Sequence, residues 1–258
     1  MNRPFPYGRM LYALAIFGIG VEHLLTRTFS ISLFPLPAAF PGRLILVISL
    51  GIVLTLAGLS MLTGRKAASS AWLLGLLWLL VAFTLHVPDL VRTPQNGSKW
   101  TVIFELVALG GGAFYLAGEL TLPDNTTSRM GIGRVLFAVS LVVFGVLHFW
   151  YAAFIATLIP AWIPGRLFWA YIVGIGFLAT ALSLVIQKQV SLATNLLGWM
   201  FLLWVVILHA PRVVANPQIE PEWTSLFIAL AMSGISFAIA RSVSQKALPS
   251  IKTTLSKQ

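Results

Sequence analysis

Eight apolar segments punctuate the chain, at about 10–26, 43–63, 69–87, 100–118, 134–152, 165–186, 191–210 and 222–241. About 20 apolar residues in a helix cross a hydrocarbon core roughly 30 Å thick, so each run is long enough to span a membrane. Polar or Pro/Gly-marked breaks separate them, such as Thr63-Gly64-Arg65-Lys66 and Leu122-Pro123-Asp124-Asn125-Thr126-Thr127. Backbone groups in lipid must be satisfied within the segment, so the runs are expected to be helices. The strict alternation of a membrane barrel is absent. The first run follows Met1-Asn2-Arg3 as a signal peptide would. No small-residue cleavage site follows it, and it has an internal counterpart, so it reads as part of the fold.

The second half repeats the first. Gly8-Arg9 aligns with Gly133-Arg134, Gly20 with Gly145 and His23 with His148, all at a shift of 125. After one two-residue indel the shift becomes 123. It then pairs Pro41-Gly42-Arg43 with Pro164-Gly165-Arg166, Gly51 with Gly174, Gly75 with Gly198, His86-Val87-Pro88 with His209-Ala210-Pro211, Trp100 with Trp223, Gly111 with Gly234 and Phe114 with Phe237. Chance agreement between apolar stretches would fall on Leu, not on Gly, Pro, His, Arg and Trp, so the chain is a duplication. Each unit has an even number of helices, so the copies point the same way, related by an axis along the membrane normal. The fold expected is all-α: eight transmembrane helices as two tandem, parallel-oriented four-helix bundles. The units cover 1–120 and 133–242, with a cytoplasmic linker at 121–132 and a basic cytoplasmic tail at 243–258.

Composition agrees. The 258 residues are 58% hydrophobic and only 9% charged, against about a quarter charged in a soluble domain. The net charge of +10 lies in short loops and tails, where topology and anionic lipid explain it better than nucleic acid does. Eleven of the 17 Lys and Arg fall on the side of both termini: Arg3, Arg9, Arg65, Lys66, Arg129, Arg134, Lys188, Arg241, Lys246, Lys252 and Lys257. That bias predicts cytoplasmic termini. The chain has no cysteine, which excludes disulfides and thiolate chemistry of its own.

The rare polar residues are the candidates for chemistry. All four histidines belong to repeat pairs, His23 with His148 and His86 with His209, at the ends of the first and third helices. Those helices run the same way, so the four rings share the membrane face opposite the termini, here the distal face. Glu22 and Glu105 lie toward the same face, with Leu147 and Ile228 as their counterparts, so only the first half keeps the acids. An ionisable side chain in a membrane span is a functional hypothesis by default. Glu22 and Glu105 are therefore candidate catalytic acids. His23, His86, His148 and His209 are candidates to hold a cofactor, haem b or quinone. A metal site is a further option, without an assigned ligand set. The competing reading is structural: a ring at a helix end locks a proline-rich loop, and an acid at the wet end of its helix reaches water or Arg27, Arg43, Arg92 or Lys99. Gly110-Gly111-Gly112 reads as close helix packing, and Trp100, Trp150 and Trp223 as interface markers. Pro88 and Pro211 are expected to end the third helices directly after the histidines.

The unit begins Gly-Arg and closes its first helix on Gly-x-x-His. It continues through a Pro-rich loop to Pro-Gly-Arg, ends its third helix His-x-Pro and opens its fourth at Trp. It resembles the DoxX-like family of four-helix membrane proteins, with two units covering about 8–118 and 133–241. The resemblance implies a redox-associated, multi-pass protein of the bacterial inner (plasma) membrane, tied to quinol oxidation or redox homeostasis and working with other membrane or redox subunits. The family's thiol-linked members are a poor guide to a chain without cysteine. Two other functions stay open: a small-molecule carrier or channel, and an assembly subunit without chemistry of its own.

Overall fold

The computed structural model describes the backbone of residues 6–121 and 126–255, and the side chains of 6–121 and 131–243. Arg3 and Lys257, and the side chains of Arg129, Lys246 and Lys252, lie outside the described residues. The described backbone is helical, with no strand. The first half contains α1 (Tyr7–Thr26), α2 (Arg43–Thr63), α3 (Ala67–Val81), a π-helical turn at Ala82–His86, α4 (Val87–Arg92) and α5 (Gly97–Leu120). The second contains α6 (Thr126–Trp150), α7 (Ala152–Leu158), α8 (Arg166–Ile186), α9 (Val190–Trp204), a π-helical turn at Val205–His209, α10 (Ala210–Ala215) and α11 (Glu220–Leu255). Eight of the resulting helices are long and apolar enough to cross a bilayer, and the chain is a multi-pass membrane protein in contact with lipid. The stretch read as a linker is already helical from Thr126, and α11 carries the backbone of the tail to Leu255.

The halves interlock. Each helix packs on its sequence neighbour in the order α1, α2, α3, α5, α6, α8, α9, α11, and α11 packs back on α1, closing a ring. α5 and α11 also touch each other across the middle. They are the central helices, each 72% buried over its span, whereas the α2 and α9 spans are only 28% buried and turn Leu, Ile and Val to lipid.

The duplicated glycines mark the crossings. A methyl added to Gly8 would meet the Gly234 carbonyl at 2.7 Å, and one on Gly234 the Gly8 carbonyl at 2.6 Å. The repeat-related crossing is Gly111 on Gly133, where a methyl on Gly111 would sit 2.8 Å from the Gly133 carbonyl. These two contacts seat α1 on α11 and α6 on α5, joining one half to the other. Gly20 with Gly51, and Gly145 with Gly174, do the same within each half. Gly75 and Gly198 instead receive the rings of Phe114 and Phe237. At the centre Gly112 faces Ile235, its own repeat counterpart, so the pseudo-twofold axis passes between a residue with no side chain and one that fills the space. Gly42 and Gly165 serve differently: φ of 69° and 67° lets the Pro-Gly-Arg turns enter α2 and α8 in the left-handed region.

The third helices do not end at Pro88 and Pro211, contrary to the sequence expectation. A proline in a regular helix lacks an N–H and crowds the carbonyl four residues back. The π turns relieve this. Val87 N–H reaches back five residues to the Ala82 carbonyl, and Ala210 N–H to the Val205 carbonyl. Each proline then falls in the first turn of the next α-helical segment, where its missing N–H costs nothing. The third span therefore runs 67–92, and its counterpart 190–215, each 26 residues long. Both loops that follow are closed by a tryptophan. Trp100 Nε1 donates to the Pro94 carbonyl at 2.8 Å and Trp223 Nε1 to the Pro217 carbonyl at 2.9 Å.

Gly133→Ala places a methyl 2.6 Å from Tyr115 N and should cost about 1–3 kcal/mol through overpacking, lowering the thermal midpoint in detergent. Gly176→Ala, with nothing within 4 Å of the added methyl, should leave the midpoint unchanged or slightly raised.

Candidate functional site

The distal end of the first half brings His23 and His86 to one loop, and Glu22 precedes His23 on α1. His23 is fully buried. Its Nδ1 donates to the Ile19 carbonyl at 2.7 Å, which leaves Nε2 to accept the Ser30 N–H at 3.3 Å. These two bonds set the neutral tautomer with hydrogen on Nδ1. His86 Nε2 donates to the Leu33 carbonyl at 2.9 Å. Both rings therefore grip the turn in which Leu33 and Phe34 N–H return to the Ser30 carbonyl. Phe34 packs edge-on to His23 at 5.5 Å and against Trp78 at 6.0 Å, and Phe29 carries the Arg43 guanidinium over its face at 5.7 Å.

The second half holds this loop as well. Ser30 Oγ and Thr224 Oγ1 share a hydrogen bond of 2.8 Å, Thr224 donates to Glu220, and Glu220 Oε2 accepts the Ile31 N–H at 3.1 Å. Sequence reasoning missed Ser30, Thr224 and Glu220, because their contacts cross from one half to the other and no local spacing announces them.

Glu22 is not at a wet helix end. It is 8% exposed, and neither carboxylate oxygen has a hydrogen-bond partner among the described residues. Another carboxylate, Glu220 of the second half, acts on it electrostatically. None of the basic residues proposed for it pairs with it: Lys99 binds Asp89 at 2.7 Å and Arg43 lies over Phe29. Glu105 stands apart. It is partly exposed on α5, and no described residue gives it a hydrogen bond or ion pair.

The second-half histidines are arranged differently. His148 keeps the helical bond, Nδ1 to the Phe144 carbonyl at 2.8 Å, and packs edge-on to Phe177 at 5.1 Å. Ser30 corresponds to Ile155, whose N–H is used inside α7 by the Tyr151 carbonyl at 2.9 Å, so no loop N–H reaches His148 Nε2. His209 Nδ1 is buried without a partner among the described residues. Among the described residues no three His, Cys, Asp or Glu side chains cluster as a metal site.

A second polar group lies at the opposite end and was not singled out in the sequence. Arg241 approaches Glu119 at 3.8 Å, both largely buried, and Tyr115 hydrogen-bonds Ser242, tying α5 to α11.

His86→Ala should remove about 1 kcal/mol from the turn and speed amide exchange at residues 33–34. His209→Ala should leave exchange at 152–158 unchanged. Equal effects in the two halves would contradict this assignment. Compared with known proteins, the chain matches no family model, no curated protein and no solved structure.

Proposed function

We propose that this chain is a DoxX-like membrane protein in which Glu22 accepts one of the two protons of a quinol at the distal face of the first half, the second proton leaving to water on that face and both electrons passing to an oxidised redox centre of a partner subunit. The observation that carries the reading is the Glu22 carboxylate, with both oxygens buried and unpaired among the described residues. Burying an ionisable group without partners costs several kcal/mol, so its retention in one half alone asks for a use. A proton acceptor within hydrogen-bond reach of a hydroxyl is what quinol oxidation requires of the protein. The quinone version fits better than the haem version. Haem would take a histidine Nε2, and in His23 and His86 that nitrogen is engaged by the loop. A carrier or channel finds less support, since Ile235 fills the axis against Gly112.

The loop contacts of His23 and His86 favour one second reading, an assembly subunit in which the rings only fix the loop. Titration of the purified protein with a soluble quinol analogue, followed by tryptophan fluorescence, separates the two. Saturable binding weakened about tenfold or more by Glu22→Gln supports the proton-acceptor role, as the loss of a hydrogen bond to a charged group would. Binding untouched by Glu22→Gln, or no binding at all, discards it in favour of the assembly reading.

A further inference from the structure

The halves have diverged most at the distal end of the second. Leu158 is the counterpart of Leu33, whose carbonyl is held by His86 in the first half. In the second half the Leu158 carbonyl is held by Arg212 Nη2 at 2.6 Å instead. Arg212 is the counterpart of Asp89, and Glu222 that of Lys99. The ion pair Asp89–Lys99, 2.7 Å in the first half, is thus reversed in sequence, yet no ion pair joins Arg212 to Glu222 among the described residues. The arginine has turned from its inherited partner to the loop.

A cleft of about 530 Å³ opens where it turns. Thr157, Trp162, Arg166, Leu208, Arg212 and Asn216 are among its walls, and no acid lines it. Arg166 also lines a neighbouring cleft of about 370 Å³ and has no ion-pair partner among the described residues. One wall is the widened π turn, which brings apolar Ile207 and Leu208 to the cleft. Two guanidiniums, an amide and a hydroxyl beside an apolar wall, at the level where a membrane loop meets a helix end, match an anion carried on an apolar tail.

We propose that this cleft binds the phosphate group of an amphiphile, with Arg166 and Arg212 on the phosphate and the tail along Ile207 and Leu208. The first half cannot do the same, because Asp89 stands where Arg212 would be needed and Lys99 already neutralises it. The proposal is independent of the quinol reading.

The test is native mass spectrometry of the full chain in maltoside micelles, which contain no phosphate, titrated with phosphatidate, with diacylglycerol of the same chains, or with inorganic phosphate. Phosphatidate should be retained and diacylglycerol lost. Arg166→Gln should weaken retention about tenfold or more, since hydrogen bonds to a charged group are lost. Arg43→Gln, the equivalent change in the first half, should leave retention unchanged. Arg212→Gln should weaken it too, but that variant also frees the Leu158 carbonyl, so Arg166→Gln is the deciding one. Inorganic phosphate binding as well as phosphatidate, and equally sensitive to Arg166→Gln, keeps the phosphate site and makes the source a free anion. Equal retention of diacylglycerol, or retention indifferent to Arg166→Gln, overturns the proposal.

Discussion

Helices in lipid gain nothing from hiding apolar side chains from water, because the surrounding tails are just as apolar. What holds them is close contact, and close contact needs backbone meeting backbone. Here that condition is met at two repeat-related crossings, Gly8 on Gly234 and Gly111 on Gly133. Both join one half to the other. The rest depends on them: they bring α5 and α11 together on the axis, leave α2, α3, α8 and α9 to lipid, and set the start of α11 against the first-half loop.

From that frame the asymmetry of the distal face becomes intelligible. The two halves share a backbone plan down to the π turns, the left-handed Gly42 and Gly165 and the tryptophan-closed loops. They differ in what the first loop does. Thr28-Phe29-Ser30-Ile31-Ser32, rich in β-branched and hydroxyl residues, stays out of a helix and offers Ser30 N–H to His23. Its counterpart, Ala153-Phe154-Ile155-Ala156-Thr157, lies within α7 and consumes that N–H internally. One change of helix propensity thus releases His148 Nε2, and a separate reversal of charge at position 212 moves the loop anchor from histidine to arginine. One half is left with a buried acid and the other with a cationic cleft.

The eight spans were legible in the sequence, because they depend on run length alone. Of the crossing glycines, Gly111 was legible as a packing residue within Gly110-Gly111-Gly112, whereas Gly8, Gly133 and Gly234 stood out only as repeat matches. The closed ring was not legible, since parity fixes direction but not which helix meets which. Nor was the passage of the third helix through Pro88 and Pro211, where one widened turn removes the clash that a regular helix would suffer. The environment of Glu22 was hidden for a related reason: its neighbour Glu220 lies almost two hundred residues away, in the other half.

Splitting the chain distinguishes interlocked halves from two independent bundles. Residues 1–121 and 126–258 would be expressed in the same membrane as separate polypeptides, one tagged, and purified in mild detergent. They should copurify in equal amounts with the thermal stability of the intact chain, and either alone should be unstable as a monomer. Two halves that are each stable, monodisperse monomers and do not associate would contradict the interlocking.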